Sequence, residues 1–272
     1  MQRALNQKMK KHKINLAKAA GFIILFLGLA ALTISIVYTS QISSFIGLGL
    51  VFWGIILTYI QTEEYVKKDL LDSTTLSSLE TISQIIQQME YVGKAVHLPP
   101  KYFKEPETVK VFVSKQSELK LPAPEQIQEQ ENKVFIENPQ GLLLLPLGAA
   151  LVDLFEKTVG TSFATTNLQS LKQSLPKLFV EELEVAQNFE METENNKVRV
   201  KIERSFYSNL TLKAAALPVL SGSLGCPLSS AIACVLAKAT GKPVVIESLQ
   251  VNEKERRANV EFHILEEEPA KQ

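Results

Sequence analysis

From Ala19 to Thr62 the chain runs for 44 residues without one charged side chain. A single membrane-crossing helix needs about 20 apolar residues, so this run holds two. A polar break at Tyr38-Thr39-Ser40-Gln41-Ile42-Ser43-Ser44 divides it, and predicts spans near 19–38 and 43–61 joined by a short turn. Tyr38 and Tyr59 fall at the C-terminal ends of the two spans, where amphipathic rings favour the headgroup layer. Gly47, Gly49 and Gly54 are small enough to let the helices approach closely. The run is too long for a cleaved leader, and a second apolar segment follows at once.

The charges on either side orient this hairpin. Residues 1–18 carry six basic groups (Arg3, Lys8, Lys10, Lys11, Lys13, Lys18) and no acid, while 63–272 carry 23 basic and 29 acidic groups. The formal net charge of zero therefore hides a basic start, a neutral middle and an acidic remainder. Positive charge before the first span holds the N-terminus in the cytoplasm, and two spans return the rest of the chain to the same side. The expected placement is a two-span protein of the cell membrane with both termini cytoplasmic and the lipid bilayer as its first partner. An excess of acid in 63–272 is expected to keep that part off anionic lipid, and the balance excludes a basic nucleic-acid binder. In a cytoplasmic domain Asn209-Leu210-Thr211 is no glycosylation site, and Cys226 and Cys234 stay reduced.

The remainder reads as a juxtamembrane amphipathic helix over 62–97 and a cytoplasmic α+β domain over 98–272. Leu79, Ile82, Ile86, Met89 and Val96 follow heptad spacing, with Ser77 and Glu80 as a capping box and Pro99-Pro100 as the stop. That face packs either on its own domain or on a second copy, giving a homodimer through Leu79, Ile82, Ile86 and Met89. Strands are expected around Val109–Val113 and Lys133–Ile136. The Lys-, Gln-, Glu- and Pro-rich segment 114–132 between them is expected as an exposed loop. Helices follow from Pro146 to Val159, with Gly160 as C-cap, and over 168–186, interrupted by Pro176. Clean alternation predicts a hairpin over 189–202. A helix from Pro227 to Thr240, capped by Gly241, precedes a second hairpin around Asn252-Glu253-Lys254. The fold class is thus a membrane-anchored α+β chain: a two-helix transmembrane hairpin, a juxtamembrane helix, and a mostly antiparallel sheet with helices packed on one face.

Chemical signatures are few. No phosphate-binding glycine motif and no HExxH is present, and His12, His97 and His263 lie far apart. His97 is read as closing a helix, and His263 as facing solvent from the last strand. Cys226 and Cys234, eight residues apart on one helix, are separated by about 12 Å and suit neither a disulfide nor a shared metal. No catalytic residue, metal or cofactor is assigned. The segment Ser221-Gly222-Ser223-Leu224-Gly225-Cys226-Pro227 stands out, because it ends at a helix N-terminus that favours an anion or a thiolate at Cys226. Ser221, Gly222, Ser223, Gly225 and Cys226 are the candidate ligand-binding residues.

Gly225-Cys226-Pro227 with its helix, Gly241-Lys242-Pro243-Val244, and the closing Glu261-Phe262-His263-Ile264 resemble the end of a 4-vinyl reductase-type domain. The resemblance covers about 40 residues of the chain. It implies a small hydrophobic or aromatic ligand held in an apolar pocket beside an antiparallel sheet. Many members of that family carry cysteines around a Gly-Asp turn in the final hairpin, some of them metal ligands. Here that turn is Val251-Asn252-Glu253-Lys254-Glu255-Arg256, so only Cys226 carries across. The expected function is a membrane-tethered binding or sensory module for a small apolar ligand. The alternatives are a non-catalytic membrane scaffold and, third, an enzyme using Cys226 as a thiolate.

Overall fold

The computed structural model describes residues 2–59, 67–105, 108–117 and 121–266. It divides into two compact units, residues 1–67 and 68–272.

The first unit is a helical hairpin of α1 (Gln2–Tyr38) and α2 (Gln41–Tyr59). Ala19–Tyr38 and Gln41–Tyr59 are both long and apolar enough to cross a membrane. Backbone polar groups in such a segment need partners within the protein, and the turn supplies them. Ser40 N donates to Ser35 O at 3.2 Å, and Ser35 Oγ donates to Ser40 O at 2.8 Å and also meets Ser44 Oγ. Thr39 takes the left-handed conformation that reverses the chain (φ 48°). The seam between the helices is closed by glycine. A Cβ at Gly28 would lie 2.7 Å from Val51 N, and one at Gly54 would lie 2.7 Å from Leu25 N. Gly49 has open space around it and takes no part in the seam.

In the second unit α3 spans Lys68–Gln88, so Ser77 lies inside this helix and does not cap it. The helix ends well before Pro99. Glu90 turns the chain at φ 58°, and Ala95–Leu98 form strand β1. The expected helix over 62–97 is corrected accordingly, with 62–66 outside the described residues. Val96 matched the heptad rhythm by coincidence, because a strand of apolar residues fills any apolar position. Leu79 and Ile86 are buried in the domain's own core and Ile82 packs partly against it, whereas Met89 is exposed. The heptad face is therefore occupied within the chain, and Leu79 and Ile86 are not free to meet a second copy.

The described strands form one eight-stranded sheet, in the order β3-β4-β2-β1-β7-β8-β6-β5, with every pairing antiparallel. Besides β1 these are β2 (Lys110–Ser114), β3 (Phe135–Glu137), β4 (Gln140–Leu144), β5 (Asn188–Glu194), β6 (Lys197–Glu203), β7 (Val244–Asn252) and β8 (Arg257–Ile264). One face carries the main core under α5 (Ala149–Val159), α6 (Leu168–Lys177), α7 (Ser208–Ala215) and α8 (Pro227–Thr240). The expectation of helices on a single face needs correction. A short helix, α4 (Pro124–Gln130), and the Pro100–Tyr102 turn cover the other face at β1, β2 and β4. Ile127, Tyr102 and Phe103 there bury Val96, Leu98, Phe112 and Leu143. The expected loop over 114–132 thus contains a helix held by one buried residue, Ile127. The uncovered half of that face, on β5, β6, β7 and β8, is a lattice of the cross-strand pairs Glu190–Lys201, Arg199–Glu261 and Lys197–Glu247 and the same-strand pair Lys201–Glu203. Opposite charges alternate there as suits a solvated sheet surface.

The central helix is α8. The stretch Leu220–Thr240 is also apolar and long enough to span a membrane. Every residue from Pro227 to Lys238 is buried within the domain, so the run's hydrophobicity is used by the core. Gly148, at the start of α5, meets α8 so closely that a Cβ would collide with the Ala231 backbone.

Candidate functional site

The start of α8 is built by the segment singled out in the sequence. Leu220–Leu224 form a π-helical turn, and Gly225 reverses the chain at φ 73° before Cys226 caps the helix. A Cβ at Gly225 would also press on Ser229 and Ile246, which is why only glycine fits. Cys226 takes the role usually held by serine or threonine in a capping box. Ser229 N donates to Cys226 Sγ at 3.4 Å, and Cys226 N donates to Ser229 Oγ at 2.8 Å. Ser229 Oγ at 3.4 Å and Thr211 Oγ1 on α7 at 3.6 Å also contact the sulfur. The helix start is tied to β1 as well. Ser223 Oγ accepts from Ala95 N at 2.5 Å, and Ser230 Oγ lies 3.2 Å from His97 Nε2.

These contacts change the reading of the site. Pro227 has no N–H, and Ser229 N–H is directed at the sulfur, so the donors expected to meet an anion are largely occupied. Cys226 is only 2 % exposed. Ser221 and Gly222 belong to the surface, while Ser223, Gly225 and Cys226 are buried. Gly222 and Ser223 line a shallow groove beside Gln87, Tyr91 and Lys94, whereas Cys226 lines a separate cleft. Of the five residues read as one site, Gly222 and Ser223 thus face the groove and Cys226 the cleft, while Ser221 and Gly225 line neither.

The cleft beside Cys226 lies between α7, α8 and strands β6, β7 and β8. Its walls are Ile202, Leu228, Leu249, Val251, Ala258 and Val260, with Ser205, Ser208, Thr211, Ser229, Arg256 and Arg257 among the polar groups around it. It encloses about 370 Å³ counting its open mouth, of which only about 20 Å³ admits a water-sized body. Sequence reasoning missed Thr211, Ser205 and the two arginines, because they come from α7, the β6–α7 connection and the β7–β8 turn with the start of β8, with no shared motif.

His97 is also reassigned. It sits in β1, not at a helix end, and is fully buried facing α8. Burial lowers its pKa to about 4, against a weaker opposing influence of the Val244 backbone. Among the described residues Nδ1 has no hydrogen-bond partner. Burial likewise pushes the Cys234 thiol up, with Lys238 opposing. His263, half-exposed on β8, meets Glu247 at 3.2 Å. Among the described residues no three His, Cys, Asp or Glu side chains converge to hold a metal.

Fold and site together define an α+β domain, sealed around one buried helix and preceded by an apolar two-helix hairpin. The chain belongs to the family described as Domain of unknown function (DUF7982), whose model matches residues 2–263. Hairpin and domain therefore make up one family unit. Searches of curated proteins and of solved structures each found no match.

Proposed function

We propose that this chain is a non-catalytic, membrane-tethered binding module, with the hairpin spanning the cell membrane and both termini in the cytoplasm. The hairpin's apolar length and the six basic residues before it support the tether. The observation that carries the binding reading is the cleft at Cys226. It has apolar walls and a few converging hydroxyl, thiol and guanidinium groups, the usual make-up of a small-ligand site. Its place beside an antiparallel sheet agrees with what the resemblance to 4-vinyl reductase-type domains implies. Because the closed cleft admits little more than a water, a small apolar ligand enters by parting α7 from the β7–β8 hairpin. A scaffold role would need a surface other than the heptad positions, since Leu79 and Ile86 are buried.

The test is mass spectrometry of organic extracts from the full chain purified in detergent, beside Ala258→Phe, which fills the cleft from a partly exposed position. The binding reading expects an apolar small molecule from the native protein and none from the equally folded variant. Extracts without any such molecule, or identical extracts from both proteins, would contradict it.

A further inference from the structure

The mouth of the Cys226 cleft has a chemistry of its own. Phe206, between β6 and α7, is 44 % exposed, and Lys68 Nζ sits 5.2 Å from its ring centroid. Arg204 and Arg256 are brought together by a backbone hydrogen bond, Arg204 N donating to Arg256 O at 2.8 Å. Both side chains are exposed, and among the described residues neither has a carboxylate partner. Among the neighbouring acids Glu203 and Glu255 pair with Arg257 and Asp72 accepts from Asn209, while Asp69 beside Lys68 and Glu253 in the β7–β8 turn are exposed. Leu70 and Leu71, in the first turn of α3, are also exposed. One end of an otherwise acidic domain thus presents three cations, an aromatic ring and two leucines, with the carboxylates of Asp69 and Glu253 beside them.

This end is also where the chain enters the domain. Eight residues, 60–67, link Tyr59 to Lys68, and a chain of that length reaches about 30 Å at most. Mixed basic and apolar side chains beside a membrane segment suit the boundary between headgroups and acyl chains. We propose that Lys68, Arg204 and Arg256 rest on anionic lipid headgroups, with Phe206, Leu70 and Leu71 entering the interfacial layer. This rests on the reading that the hairpin spans the membrane. It assigns the cleft mouth to the bilayer surface, from which an apolar ligand reaches Cys226 without crossing water.

The experiment uses the full chain in nanodiscs of phosphatidylcholine, with and without phosphatidylglycerol, doped with lipid brominated near the glycerol. Trp53 is the sole native tryptophan, so Trp53→Phe with Phe206→Trp moves the reporter to the rim. Emission is expected to fall by about half in discs containing phosphatidylglycerol, and much less without it. Adding Lys68→Glu, at a half-exposed position, with Arg204→Glu and Arg256→Glu, at exposed ones, is expected to restore it. The native protein, with deep-brominated lipid, reports separately on the spans through Trp53. Quenched Trp53 with an unquenched rim reporter overturns the headgroup contact and leaves the spans standing. Equal quenching in both lipid compositions overturns the selection for anionic lipid. An unquenched Trp53 overturns the spanning reading and this proposal with it.

Discussion

Lys238 Nζ lies 2.8 and 2.9 Å from the two carboxylate oxygens of Glu156, joining the middle helix of the core to α5. Glu156 Oε1 also accepts from Phe163 N at 2.8 Å and from Ser162 Oγ at 3.0 Å. The lysine side chain is almost wholly buried and the glutamate nearly so. Removing one partner of such a pair strands the other's charge, at about 3–5 kcal/mol. Lys238→Met is expected to lower the denaturation midpoint strongly. Glu156→Gln added to Lys238→Met should recover part of the loss, because glutamine still accepts from Phe163 N. Denaturant titration of the three proteins measures this, and a double variant weaker than the single one would refute the account.

His97 gives the domain a pH dependence of definite sign. Its folded pKa of about 4 lies below the ordinary imidazole value of 6.5. Above pH 6.5 the group is neutral in both states and stability is unaffected. As the pH falls from 6.5 towards 4, the unfolded chain takes up the proton first and stability drops, by about 3 kcal/mol in all. His97→Gln keeps a partner for Ser230 Oγ and removes the titration. Melting curves across this window should slope less steeply for the variant, and equal slopes would assign the effect to other groups.

Cys226 acts as a cap before anything else. Cys226→Ser keeps an acceptor for Ser229 N, whereas Cys226→Ala removes it and is expected to cost about 1 kcal/mol. Thermal melts of the two variants separate the cap from thiol chemistry. If serine destabilises as much as alanine, the sulfur's packing and not its hydrogen bond holds the helix start.

The parts legible in the sequence are those where one local rule decides. Phe189 and Met191 alternate with glutamates and Val198, Val200 and Ile202 with basic residues, so β5 and β6 declare a half-buried hairpin. Pro227 and Gly241 bracket α8 for equally local reasons. Elsewhere tertiary contacts decided. Ala95–Leu98 carries no alternation because both faces of β1 are covered, and α4 offers a single apolar anchor in polar surroundings. The candidate site was legible only as a helix start. Its partition between cleft and groove depends on where β1, α7 and the β7–β8 turn arrive in space, which the order of residues around Cys226 does not encode.

In the hairpin, glycine positions differ in what surrounds them. Gly28→Val places side-chain atoms against Val51 and Gly47 across the seam, and overpacking of this kind costs about 1–3 kcal/mol. Gly49→Val points into open space and should be nearly neutral. Thermal aggregation of the detergent-solubilised variants ranks them. A reversed order would mean that the two helices meet on another face.

Sidedness tests the tethered-module reading most directly. Single cysteines placed at Lys8 and Lys254, in a chain carrying Cys226→Ser and Cys234→Ala, are treated in intact cells with a membrane-impermeant maleimide. The account predicts no labelling at either position until the cells are permeabilised, and full labelling at both afterwards, with the protein retained in the membrane fraction. Labelling of either cysteine from outside intact cells, or recovery of the chain in the soluble fraction, would contradict it.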